Sequence, residues 1–205
     1  MKNADTSFYG IQEGEHILYV VRPHRMALMV SLLKVFLAGL AVWVGFVIIN
    51  TQVDFLNFNF GVIGFLLALV VVVVGWLAVN SVYSKRVGYI TDRRVVKFEA
   101  PNFLETRSRS LNWQDAVKAK TYPPNFLWRL FDLGTVSVHA HSTMATVDDA
   151  KTKNVISDDD IDLTDVYYYQ DLGNYIDKIL FTYKREPEKL TDLKPFVTKP
   201  SGQRD

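Results

Sequence analysis

Phe60 to Val79 reads FGVIGFLLALVVVVVGWLAV, twenty residues in which the Trp76 indole is the single polar side-chain group. As a helix rising about 1.5 Å per residue, this run covers about 30 Å, the hydrocarbon thickness of a bilayer. A buried core helix, or a pair of Val-rich parallel strands, is the competing reading. Such strands are short and separated by turn signals, and nothing interrupts this run.

A second apolar stretch, Met26 to Ile49, is broken only by Ser31 and Lys34. Its uncharged part, from Val35, covers about 22 Å, so a crossing helix must begin before Lys34. A lysine one or two turns inside a helix end can snorkel its ammonium to the headgroups. A proton or ion pathway needs a second intramembrane ionisable group, and neither stretch supplies one. Ala41 and Gly45, like Gly64 and Ala68, are small residues four apart, a spacing that lets helices pack closely.

The overall composition conceals this. With 23 basic and 22 acidic residues the net charge is +1, and 49% of residues are hydrophobic. Residues 26–83 nevertheless hold only Lys34 and Asp54 as charges, residues 84–147 carry ten bases and five acids, and 148–205 carry nine bases and thirteen acids. The averages argue against a disordered chain and against a basic protein that grips nucleic acid through bulk charge. The absence of cysteine removes disulfide frameworks, thiolate zinc sites and a cysteine nucleophile.

The loop between the stretches, Asn50 to Asn59, contains Asp54 and no Lys or Arg, whereas Arg22 and Arg25 precede the first stretch and Lys85, Arg86, Arg93 and Arg94 follow the second. The positive-inside rule then predicts a hairpin in the cytoplasmic (inner) membrane with both termini cytoplasmic. Phe55, Phe58 and Phe60 at one end, with Trp76 and Tyr83 at the other, suit the two aromatic-rich interfaces. Residues 1–25 lack the apolar core and cleavage site of a signal peptide, so the first span is expected to be an uncleaved anchor.

After Tyr83 the period changes. Arg86–Thr91 and Arg94–Glu99 flank Asp92-Arg93 as a hairpin would, and Leu104–Ser110 alternates so that Glu105, Arg107 and Arg109 share a face. Val117, Ala119 and Thr121 oppose Lys118 and Lys120. Phe126–Phe131 has helical spacing, with Gly134 as its expected terminator. In the strand expected over Thr135–His141, Val136, Val138 and Ala140 alternate with Thr135, Ser137, His139 and His141, the latter reading as a wet face. Leu172, Tyr175, Ile176, Ile179, Leu180 and Tyr183 form an amphipathic helical stripe that either closes an open β-sheet or barrel or lies on the membrane. Its polar face, mixed in sign, favours the first. From Glu186, three prolines and few apolar residues predict a flexible tail.

GEHILYVVRPH at 14–24, YITDRRVVKF at 89–98, LNWQDAV at 111–117, RLFDLGTVSV at 129–138 and the helix around 172–183 occur in an order that resembles the bacterial pleckstrin-homology-like (PH-like), membrane-flanked domain family. The resemblance covers roughly residues 13–185, and the acidic stretch 148–165 is longer than the family pattern. It implies a bent, partly open antiparallel barrel of about seven strands, capped by the C-terminal helix. It implies no general reaction, but a membrane-tethered binding or scaffolding module.

The candidate site is a basic cluster. Lys85 and Arg86 follow the second span, Arg93 and Arg94 form the hairpin tip, and Lys97, Arg107 and Arg109 lie on strand faces. Anionic headgroups attract each such side chain by about 1 kcal/mol, and arginine can fork onto phosphate. Topology selection alone would also place bases here. The run SDDDIDLTD at 157–165 fails as an EF-hand, because Leu163 stands where glycine is required and Tyr169 where a bidentate glutamate belongs. A solvated loop or partner-facing acidic surface is expected instead. His139 and His141 share a strand side and could be two metal ligands, with no third identifiable.

The expected fold is therefore an α+β membrane protein: a cytoplasmic segment 1–25, a transmembrane hairpin 26–83, a PH-like split β-barrel with its C-terminal helix cap at 84–185, and a tail 186–205. The expected function is non-enzymatic, a scaffold in the cell envelope without cofactor or metal. Its partners are the bilayer and another membrane or cytoplasmic protein, a second copy included, and not nucleic acid. A metal-dependent membrane enzyme using His139 and His141 is the alternative.

Overall fold

The computed structural model describes residues 7–52, 59–141 and 160–197. They divide into two compact units. One holds Arg25–Lys85 with Ala100–Thr106, and the other holds the described parts of Met1–His24, Arg86–Glu99 and Arg107–Asp205.

The first unit is a helical hairpin. Helix α1 is Arg25–Gln52 and α2 is Phe60–Lys85, both long and apolar enough to cross a bilayer. Polar groups within them are satisfied locally: the Ser31 hydroxyl donates to the Ala27 carbonyl at 2.9 Å, and the Asn59 carboxamide oxygen accepts from the Val62 N–H at 3.4 Å as α2 begins. The Asn50 side chain accepts from the Phe60 N–H at 3.0 Å across the connection. Most of the apolar surface faces outward, including Leu33, Phe36, Leu37 and Leu40 of α1 and Phe65, Leu66, Leu69 and Val70 of α2. A soluble core helix would bury these side chains. Asp54, Phe55 and Phe58 lie outside the described residues.

Glycines set the contact between the helices. A Cβ on Gly39 would lie 2.5 Å from Val72, one on Gly75 would lie 2.5 Å from Val35, and one on Gly64 would strike Phe46. Early residues of α1 thus meet late residues of α2, as an antiparallel hairpin requires. Gly64 and Ala68 hold the contact positions expected of them, but Ala41 is exposed and Gly45 has nothing within 4 Å, so Gly39 takes their place.

The second unit contains seven described strands in two antiparallel sheets. The first sheet runs β1 (Ile17–Val21), β2 (Val87–Thr91), β3 (Arg94–Glu99) and β4 (Arg107–Asn112). The second runs β5 (Ala116–Tyr122), β6 (Leu133–Ala140) and β7 (Ile161–Tyr167). The β2–β3 hairpin turns at Asp92-Arg93, as its sequence predicts. Strand β1 does not follow from the pattern of residues 1–25, yet it pairs with β2 from Ile17↔Thr91 to Val21↔Gly88. Leu104–Thr106 precedes β4 instead of belonging to it.

Helix α3 (Phe126–Leu130) is capped by Asn125, whose side chain accepts from the Trp128 N–H at 2.9 Å. The chain reverses at Asp132, with φ +53°, so Gly134 does not terminate the helix. It lies inside β6, where a Cβ would strike the Tyr169 ring. Helix α4 (Tyr169–Arg185) lays Leu172, Ile176, Ile179 and Leu180 into the core against β5 and β6. Ile90, Val95, Leu111 and Trp113 enter the same core from the first sheet, and Val136, Val138, Ile161 and Leu163 from the second.

Three expectations change. Thr135 and Ser137 are buried, because both faces of β6 are covered along most of its length. Residues 161–165 of the acidic run are strand β7, with Ile161 and Leu163 inward, whereas 148–159 lie outside the described residues. The expected tail begins with a 3-10 helix, Pro187–Asp192, and Leu190 is buried. Beyond it, Phe196 packs edge-on against Tyr19 at 4.8 Å and beside Tyr175 at 5.3 Å. Residues 198–205 lie outside the described residues.

Candidate functional site

The seven bases of the expected cluster separate into three groups. Lys85 ends α2 in the helical unit, where its ammonium donates to the Phe103 carbonyl at 2.7 Å. Arg93 and Arg94 sit at the β2–β3 turn and are engaged by the N-terminal segment. Arg86, Lys97, Arg107 and Arg109 surround Glu99.

At the turn, the Arg94 guanidinium forks onto Glu15, with Nε 3.0 Å from Oε1 and Nη2 2.9 Å from Oε2. Nη2 also donates to the Gly10 carbonyl at 2.6 Å. The Glu15 carboxylate is fully buried, with 0% side-chain exposure, and it collects the Thr91 hydroxyl at 2.8 Å and the Gln12 N–H at 2.8 Å. Burial pushes the Glu15 carboxyl up, but the Arg94, Gln12 and Thr91 hydrogen bonds and the Arg94 charge together outweigh it and hold the group below the ordinary carboxylate value. Arg93 reaches Gln12 Oε1 at 3.3 Å, and Asp92 accepts from the His16 N–H at 3.0 Å. Trp113, from the β4–β5 turn, donates its indole N–H to the Thr91 carbonyl at 2.9 Å. Phe8 stacks on Tyr89 with ring centres 4.6 Å apart, and the Arg94 guanidinium lies 5.9 Å from the Phe8 ring centre. The turn is thus a clasp that fastens residues 8–16 to the sheet, and its two arginines are occupied in it.

Of the remaining four bases, Lys97, Arg107 and Arg109 lie on one face, and Arg86, just before β2, acts on Glu99 through its charge. Strand alternation puts Val95, Lys97 and Glu99 on the same side of β3, and the register sets Leu111 opposite Val95, Arg109 opposite Lys97 and Arg107 opposite Glu99. Val95 and Leu111 belong to the core, so this row runs from a buried apolar end to a charged one. The Lys97 ammonium is 2.7 Å and the Arg109 Nε 3.5 Å from Glu99. The Lys97 hydrogen bond, opposed by burial and aided by the charges of Lys97, Arg109 and Arg86, holds the Glu99 carboxyl below its ordinary value. Glu99 stays ionised and orders the bases around it.

The two histidines of the alternative reading have separate partners. His139 Nδ1 lies 2.7 Å from Asp160 Oδ2, while His141 falls beyond the end of β6 and donates its backbone N–H to the Asp115 carbonyl at 2.7 Å. Among the described residues no three His, Asp or Glu side chains converge on a metal position.

Glu15, Thr91 and Gln12 carry no signal in the sequence for their role, since the contacting residues are separated by about seventy to eighty positions. Glu99 is visible in the alternation of β3, but only the register shows which bases it gathers. No family model, curated protein or solved structure matches the chain.

Proposed function

We propose that this chain is a membrane-tethered binding or scaffolding module of the cytoplasmic (inner) membrane, with both termini cytoplasmic. In this reading α1 and α2 cross the bilayer, and the two sheets with α4 form a PH-like split barrel that engages a partner protein and anionic lipid headgroups. The observation that carries the reading is the group of Arg86, Lys97, Arg107 and Arg109 around Glu99. Along the chain, Arg86 directly follows the last residue of α2. Basic side chains near an anionic leaflet are each attracted by about 1 kcal/mol, an effect that falls off within a Debye length. The clasp makes Arg93 and Arg94 structural, so the ligand-facing set is narrower than the seven bases suggest.

The test uses the full chain in zwitterionic nanodiscs titrated with a water-soluble, short-chain phosphatidylglycerol. Binding is expected to weaken with salt. The Lys97→Ala, Arg109→Ala double variant should lose about thirtyfold in affinity, from about 1 kcal/mol at each position. Arg93→Ala should change it by less than about twofold, since a base already engaged adds little attraction. An affinity unmoved by the double variant removes the headgroup reading.

A further inference from the structure

The loop Ala100–Thr106 joins β3 to β4, yet it groups with the helical hairpin. Its attachment is specific: Lys85, the last residue of α2, donates from its ammonium to the Phe103 carbonyl at 2.7 Å. The two apolar side chains beyond that hydrogen bond are uncovered, with Phe103 54% and Leu104 81% exposed. Exposed neighbouring Phe and Leu in a short loop are costly in water unless something covers them. The occupant follows from depth. The unbroken apolar run of α2 ends at Val79, and Lys85 lies six residues further, about 9 Å along the helix and therefore at headgroup level. The outer faces of α1 and α2, in the same unit, are already apolar and exposed.

We propose that Phe103 and Leu104 form an interfacial wedge that enters the headgroup–acyl boundary beside the end of α2. The Lys85 ammonium holds the loop backbone at that depth while its charge remains among lipid phosphates. This rests on α2 crossing the bilayer. The wedge is a bilayer contact distinct from the charged row, because it works through apolar area and persists at high salt.

The chain contains no cysteine, so single spin labels can be placed without background. Full-length Leu104→Cys and Val73→Cys proteins, each spin-labelled in phosphatidylcholine vesicles, are compared for collision with oxygen, which concentrates in lipid, and with a charged nickel chelate, which stays in water. The expected result is oxygen-dominated collision at both labels, shallow at 104 and deep at 73, unchanged in 1 M salt on the order of a 3 Å Debye length. Adding Phe103→Asp to the Leu104→Cys protein should reverse the ratio at 104 and leave the α2 label unaffected. A chelate-dominated label at 104 with a lipid-exposed label at 73 overturns the wedge alone. A label at 104 that stays in lipid despite Phe103→Asp also overturns it, because the label itself is then the inserting group. A label at 73 in water overturns both the wedge and the spanning helix.

Discussion

Glu15→Ala is expected to lower the stability of the sheet unit by about 3–5 kcal/mol, the usual cost of removing one partner from a buried ion pair. The loss exceeds that of a surface salt bridge because the carboxylate is wholly buried and takes both arms of the Arg94 fork. The Gln12 N–H also loses its side-chain acceptor, while the Thr91 hydroxyl keeps the Arg94 carbonyl 2.9 Å away. Urea unfolding of the full chain in neutral detergent, followed by the strand signal in circular dichroism, measures it as a lower midpoint. The same pair sets a pH dependence. Glu15 titrates below its ordinary value of 4.5 in the folded chain, so its contribution is fully present above about pH 4.5 and is lost as the pH falls through the lower folded value. Glu15→Gln should therefore flatten the fall in midpoint between neutral and acid pH. A wild-type fall as shallow as that of the variant would contradict this account of the clasp.

The second large effect is expected at Trp113. Its side chain is fully buried at 0% exposure and anchors the β4–β5 turn against the Thr91 carbonyl. Trp113→Ala should cost about 3–5 kcal/mol through the cavity and the unsatisfied carbonyl. Trp113→Phe keeps most of the ring volume, deletes the N–H donor and should cost about 1 kcal/mol from the hydrogen bond alone, plus the smaller ring's packing loss. Because Glu15 and Trp113 both act on Thr91, the Glu15→Ala, Trp113→Ala double variant should lose less than the two losses combined. Strict additivity in the same urea assay would show that the two contacts are independent.

Those residues also show where sequence reasoning stops. Phe60–Val79 is legible because an apolar run of bilayer length needs no partner to be recognised. The α4 stripe is legible because its period reports the face it buries, and Leu172, Ile176, Ile179 and Leu180 do enter the core. Strand β1 is not, since ILYVV is short, sits before a membrane-length helix, and pairs with a strand about seventy residues away. The buried Thr135 and Ser137 look wet because alternation shows that β6 has two faces but cannot show that both are covered. Leu190 and Phe196 are too sparse among prolines to form a pattern, yet each fills a gap beside α4 or β1. In the candidate site, the alternation of Lys97 with Glu99 and of Arg107 with Arg109 is readable, while their union depends on register. The pairing of Arg94 with Glu15 spans 79 positions and is visible only in three dimensions.

This has a practical consequence for testing the sheet unit. A fragment beginning at residue 84 would lack β1, Glu15 and Phe8, leaving β2 with an uncovered edge and Arg94 without its carboxylate. Full-length protein is the appropriate material for binding and stability measurements.

The central claim, two crossing helices with the sheets on the cytoplasmic side, is tested most directly by cysteine accessibility. Asp54→Cys, between the helices, and Gln114→Cys, exposed in the β4–β5 turn, each give a single thiol in a chain that has none. In sealed right-side-out vesicles a membrane-impermeant maleimide should label the first and reach the second only after the vesicles are opened. Labelling of Gln114→Cys in sealed vesicles, or release of the protein from membranes by alkaline extraction, would contradict the account.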